Sequence, residues 1–103
     1  MDKEKIKELQ KYSDIERVIE NAKRYLGNDV EIYPATHPKS KFMVFDPVKY
    51  KFVEFGAMGY QDYTKHQDEK RRQGYLKRAN AIKGDWKNNK YSKNNLAINI
   101  LWL

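Results

Sequence analysis

The sequence predicts an α+β fold, and three stretches predict it. Residues 13–26 carry apolar side chains at helical spacing, residues 41–55 hold two short alternating runs around a turn, and residues 68–82 return to a helical period. The expected architecture is an N-terminal amphipathic helix, a small three-stranded antiparallel sheet with a hairpin at 41–55, a basic helix at 68–82 and a short C-terminal helix. No repeat, linker or low-complexity run interrupts the 103 residues. The chain reads as one small domain, 1–103, with a helical part at 1–28, a sheet part at 29–56 and a basic helical part at 57–103.

Residues 2–11 hold Ile6 and Leu9 among good helix formers, a weak helix with a narrow apolar stripe. Ser13 and Glu16 have the spacing of a capping box, which would tie off two free amides at a helix start. Ile15, Val18, Ile19, Ala22, Tyr25 and Leu26 then fall on one face, and Gly27 follows as a cap. Such a face needs a partner, and the following sheet is the expected one.

Val30 to Tyr33 is a strand candidate, followed by the polar loop PATHPKSK. KFMVF (41–45) and KFVEF (51–55) read as paired strands around a loop of about five residues opened by Asp46-Pro47. In the first strand Phe42 and Val44 share one face, opposite Met43 and Phe45; in the second Val53 and Phe55 share a face, opposite Phe52 and Glu54. Gly56 and Gly59 allow a sharp exit from the last strand.

Asp68 is the expected N-cap of the basic helix, with Glu69 placed well for the helix dipole. Tyr75, Leu76, Ala79 and Ile82 form its apolar arc, and Arg72 lies near the middle of that arc. An arginine there either pairs inside the fold, with Asp62 or Asp68 for example, or lines a cleft that takes an anion. Gly84 is expected to end the helix, and Trp86 to anchor the loop after it. The segment NNLAINILWL fits both a strand and a helix; Ser92 as a cap favours the helix.

The net charge is +7, and its distribution is uneven. Residues 57–103 carry ten Lys/Arg against four Asp/Glu, whereas residues 1–56 are nearly balanced. That asymmetry suits an anionic partner. There is no cysteine, hence no disulfide and no thiolate metal site. The two histidines, His37 and His66, are far apart in sequence and make a metal site unexpected. MDKEKIKELQ has no apolar segment of a secretory leader, and no apolar run is long enough to span a bilayer, so no membrane partner is expected. Ser13, Ser40 and Ser92 look like cap and loop residues, not nucleophiles, and no phosphate-binding glycine loop is present.

Lys65, Lys70, Arg71, Lys77, Arg78 and Lys83 are the candidate phosphate contacts, interleaved with aromatic residues that could stack on bases. Asp62, Tyr63, Arg72, Tyr75, Trp86 and Trp102 are expected to hold the fold. No catalytic residue, metal ligand or cofactor site is assigned. The expected function is a non-enzymatic basic protein that contacts the nucleic-acid backbone without sequence specificity. The alternative is a module that docks on other proteins, which would show an exposed apolar patch around Leu101 to Leu103. A more remote alternative is a small enzyme using His66 and Asp62.

The residues also form a longer pattern. Lys41, Phe42, Met43, Val44, Asp46 and Pro47 are followed by Val53, Phe55 and Gly56. Then come Tyr60, Asp62, Tyr63, Thr64, His66, Asp68, Arg71, Arg72, Tyr75 and Arg78, with Trp86, Leu101 and Trp102 near the end. This pattern resembles a small uncharacterised family of large DNA viruses and some phages. Phe52 stands where that family usually has Trp, and the N-terminal helices match it loosely or not at all. The resemblance implies a viral origin, a place in the virion or the host cytoplasm, and viral structural proteins as possible partners. It implies no reaction.

Overall fold

The computed structural model describes residues 3–103. Helix α1 spans Lys3–Leu9, and the expected start at Asp2 lies outside the described residues. Helix α2 spans Ile15–Leu26. Strands β1 (Ile32–Pro34), β2 (Ser40–Asp46) and β3 (Lys51–Ala57) form one antiparallel sheet in the order β1-β2-β3. A one-turn helix α3 (Tyr63–His66) precedes the basic helix α4 (Glu69–Asn80). A 3₁₀ turn at Trp86–Asn88 leads to α5 (Lys93–Leu96), which continues into a π-helical turn over Ala97–Leu101. The architecture is the expected α+β one.

The sheet's alternation works as the sequence implies. Phe42 faces Phe55 across the hairpin and Val44 faces Val53, while Ile32 joins them from β1. Those side chains meet Leu9, Val18, Ala22, Leu96, Ile100 and Leu101 in one core, so the inner face packs against α2 and the C-terminal helix. The strand expected at Val30–Tyr33 begins two residues later and ends on Pro34, which an edge strand tolerates. The hairpin loop is four residues, Pro47 to Tyr50, and the Asp46 carboxylate accepts the Val48 and Lys49 amides at 2.9 and 3.3 Å.

Two local expectations are corrected and a third holds. The N-cap of α2 is Asp14, which accepts the Arg17 amide at 3.3 Å; Ser13 makes no capping box with Glu16. Ser13 is buried, and its hydroxyl goes to a carboxylate that water cannot reach. Helix α4 stops at Asn80, short of Gly84, and Ile82 leaves the apolar arc to become half exposed. The C-terminal segment is helical, as Ser92 suggests; its hydroxyl accepts the Asn95 amide at 3.2 Å.

Asp62 is where separate parts of the chain meet. Its Oδ2 accepts from Lys41 Nζ at 2.8 Å and from the Ser13 hydroxyl at 2.5 Å. Its Oδ1 accepts from the Thr64 amide at 3.0 Å and from the Thr64 hydroxyl. The Asp62 amide donates to the Tyr12 carbonyl, and the Asp14 amide donates to the Thr64 hydroxyl oxygen. Lys41 and Asp62 are each 2% exposed. Burial lowers the Lys41 pKa, and the adjacent Asp62 charge opposes that shift. One carboxylate thereby fastens the α1–α2 link, strand β2 and the start of α3.

A second fixed point is Gly56, at φ +85°. A Cβ there would lie 2.8 Å from Leu101 Cδ1 and 3.1 Å from Lys41 Cβ, so glycine lets the C-terminal helix close on β3.

Two stability predictions follow from this packing. Lys41→Met and Asp62→Asn each leave one buried charge alone and should each cost about 3–5 kcal/mol in denaturant unfolding. The double variant should cost clearly less than their sum, because the two act as one unit; strict additivity would dismiss the pair. Gly56→Ala should cost at least about 2 kcal/mol from the positive φ and the clash together, and an unchanged unfolding midpoint would contradict that reading.

Candidate nucleic-acid interface

Helix α4 lays its cations along defined lines. Lys70, Gly74 and Arg78 follow at intervals of four and stack on one face, with Arg71 beside them. Asp68 starts the helix, its carboxylate accepting the Lys70 and Arg71 amides at 3.0 and 3.2 Å. This face forms one wall of a groove of about 840 Å³. The opposite walls come from the end of the hairpin (Lys39, Ser40, Lys41 and Glu54 to Ala57) and from Lys93, Asn94, Ala97 and Leu101. Tyr60, Gln61, His66, Tyr75 and Trp102 also line it.

The groove is strongly cationic. Lys41 is neutralised by Asp62, which leaves Lys39, Lys70, Arg71, Arg78 and Lys93 against the single carboxylate of Glu54. Among the described residues none of those five cations forms an ion pair with a carboxylate. Glu54 is turned toward the β1–β2 loop, accepting the Thr36 hydroxyl at 2.9 Å and the His37 amide at 3.2 Å. Gly74 contributes space: a Cβ there would meet only Arg78 Nη1, at 3.5 Å. A glycine within a helix costs about 1 kcal/mol relative to alanine, and here it keeps the wall low between two cations.

The expected phosphate contacts divide. Lys70, Arg71 and Arg78 line the groove; Lys65, Lys77 and Lys83 are exposed elsewhere and do not. Lys39 and Lys93 were not legible as partners of α4, because only the tertiary fold brings the β1–β2 loop and the start of α5 to that helix.

The expected structural residues hold the groove's closed end. Arg72 pairs with neither Asp62 nor Asp68 but with the exposed Glu69, and it is tied into the fold through a backbone carbonyl. Its Nε donates to the Trp102 carbonyl at 2.8 Å, its Nη1 to Glu69 at 3.1 Å, and its guanidinium lies 5.4 Å from the Tyr63 ring centroid. Asp62 is occupied by Lys41 and Asp68 by the helix start, so Arg72 serves instead to tie down the chain's last residues. Tyr75 stacks on Trp102 with centroids 4.2 Å apart and planes 8° apart. Trp86 donates its indole N–H to the Ile82 carbonyl at 2.8 Å, securing the turn after α4. Of the expected apolar patch at 101–103, Leu101 is buried in the core and Trp102 half-buried, while Leu103 is exposed.

His66 sits beside these rings, 5.3 Å from Trp102. Its Nδ1 accepts the Asp68 amide at 2.9 Å, which puts the proton of the neutral ring on Nε2. That nitrogen is buried without a hydrogen-bond partner. Burial lowers the His66 pKa, with Arg71 adding to the shift and Asp68 and Asp62 opposing it.

No curated protein matches the chain, and no solved structure does. Among the described residues no helix is long and apolar enough to cross a membrane. Residues 30–79, the span that holds the sheet, the Asp62 cluster and nearly all of α4, match a family of unknown function (DUF5754).

Proposed function

We propose that the protein is a non-enzymatic nucleic-acid-binding protein whose groove takes the phosphate backbone. The observation that carries this reading is the convergence on one concave surface of five cations that form no ion pair among the described residues. Lysine and arginine side chains neutralise phosphates and release counterions, which gives binding that tolerates any sequence and weakens with salt. The sequence resemblance to a family of large DNA viruses and phages supports a setting in the virion or a replication compartment. The rival reading, a minor structural module that docks on other virion proteins, draws on exposed Val48, Phe45, Tyr50 and Phe52 and needs no cationic groove.

Labelled single-stranded and duplex DNA, titrated across a salt series, test this. Micromolar binding whose logarithm falls with log salt at a slope of about −2 to −4 is expected for roughly three to five phosphate contacts. Absence of binding at low salt removes the reading. Substitution separates the two groups of residues. Arg71→Ala and Arg78→Ala should each weaken binding several-fold at an unchanged melting temperature, whereas Arg72→Ala should lower the melting temperature first. Gly74→Ala should stabilise α4 by up to about 1 kcal/mol yet weaken binding by raising the groove wall; tighter binding by that variant would contradict the role given to this glycine.

A further inference from the structure

The sheet has a second face, and it is not covered by helix packing in the way the inner face is. Tyr33, Met43, Phe45, Phe52 and Glu54 alternate out of the core. Phe45 is 37% exposed, Phe52 50% and Tyr50, in the hairpin loop, 83%. A small domain with a thin core gains nothing by leaving such rings in water. Their geometry is specific. Phe45 meets Phe52 at 5.4 Å and 73°, Phe45 meets Tyr50 at 5.1 Å and 83°, and Tyr33 meets Phe52 at 6.0 Å and 76°. Every pair is edge to face, so no ring in the cluster lies flat on another. The Tyr75–Trp102 pair inside the fold is the contrast: those two rings cover each other.

This aromatic face is joined to the groove. A shallower depression of about 500 Å³ runs along the free edge of β3, past Lys51 and Phe52. It shares Lys39, Ser40, Glu54 and Lys93 with the groove. Cations therefore continue from α4 through Lys39 and Lys93 to Lys51, with Glu54 among them, and Phe52 lines the same depression and touches the other rings through Phe45 and Tyr33. A strand that follows the cations arrives at the aromatic face.

Resting on the groove reading above, we propose that the ligand is single-stranded nucleic acid: its phosphates follow Lys70, Arg71, Lys93, Lys39 and Lys51, and its unpaired bases stack on Phe52, Phe45 and Tyr50. Only unpaired, unstacked bases offer their faces to such rings, since in a duplex each face is covered by a neighbouring base pair. The continuous cations favour this occupant over an apolar protein surface, which would gain nothing from Lys39, Lys51 and Lys93 beside the rings.

Fluorescence anisotropy with labelled oligothymidylate, and with a duplex of the same length, tests the proposal. The wild-type protein should favour the single strand. Tyr50→Ser, in an exposed loop, and Phe52→Leu, which keeps an apolar side chain but removes the ring, should each weaken single-strand binding about five- to tenfold. Both should change duplex binding by less than about twofold. Tryptophan-monitored melting confirms that both variants stay folded. If both bind the single strand like wild type while Arg71→Ala does not, the aromatic platform is refuted and the groove reading survives. Equal affinity for single strand and duplex refutes the strand preference. A wild-type dimer in sedimentation that dissociates on Tyr50→Ser would give the face to a second copy of the chain and overturn the proposal. Failure of every strand to bind at low salt ends both readings together.

Discussion

The interaction on which the rest depends is the hydrogen-bonded ion pair of Lys41 and Asp62. It joins the α1–α2 link, the hairpin and the segment leading to α4 by directional bonds. Two charges removed from water are costly, and their attraction offsets that cost only with good geometry and satisfied remaining sites. Here both carboxylate oxygens are filled: one by Lys41 and Ser13, the other by two groups of Thr64. Hydrophobic packing alone would let the hairpin slide against α3. The pair ties β2, two residues beyond Lys39, to the start of α3; Lys39 lines the groove opposite α4.

The groove follows from that constraint. Arg72 and the Tyr75–Trp102 stack close one end by holding the chain's last residues on α4. Gly56 lets Leu101 approach β3 closely enough to close the floor. Lys41 and Arg72 spend their charge on partners within the fold, while the cations on the groove's rim have no carboxylate partner among the described residues. This division between spent and unspent charge separates Lys41 and Arg72 from Lys70, Arg71 and Arg78, although all five are basic residues in one region.

Much of the fold was legible because local rules and tertiary packing agree. The alternation of KFMVF and KFVEF, the Asp68 cap and the Ser92 cap each satisfy a short-range requirement that the fold also needs. Ser13 misled because the spacing to Glu16 is a good capping box, yet Asp14 can cap equally well and a buried carboxylate has greater need of the hydroxyl. Lys41 was legible as a strand residue but not as a buried one: alternation puts it on the side of Met43 and Phe45, where a lysine is normally solvated. Helix α3 has too few residues to show a period. The groove's three α4 cations could be read from the sequence; Lys39 and Lys93 could not, because nothing short of the folded chain makes them neighbours.

The π-helical turn at the C-terminus carries a further consequence. Relative to a continuous α-helix, such a turn accommodates one extra residue, and each residue of an α-helix rotates the next by about 100°. The wide turn over Ala97–Leu101 thus acts as a phase adjuster between two clients of one short helix. Leu96 and Ile100 serve the core against α2, while Leu101 and Trp102 serve Gly56 and Tyr75. The wide turn thus lets the adjacent residues Ile100 and Leu101 both be buried in the one core while Trp102 reaches Tyr75.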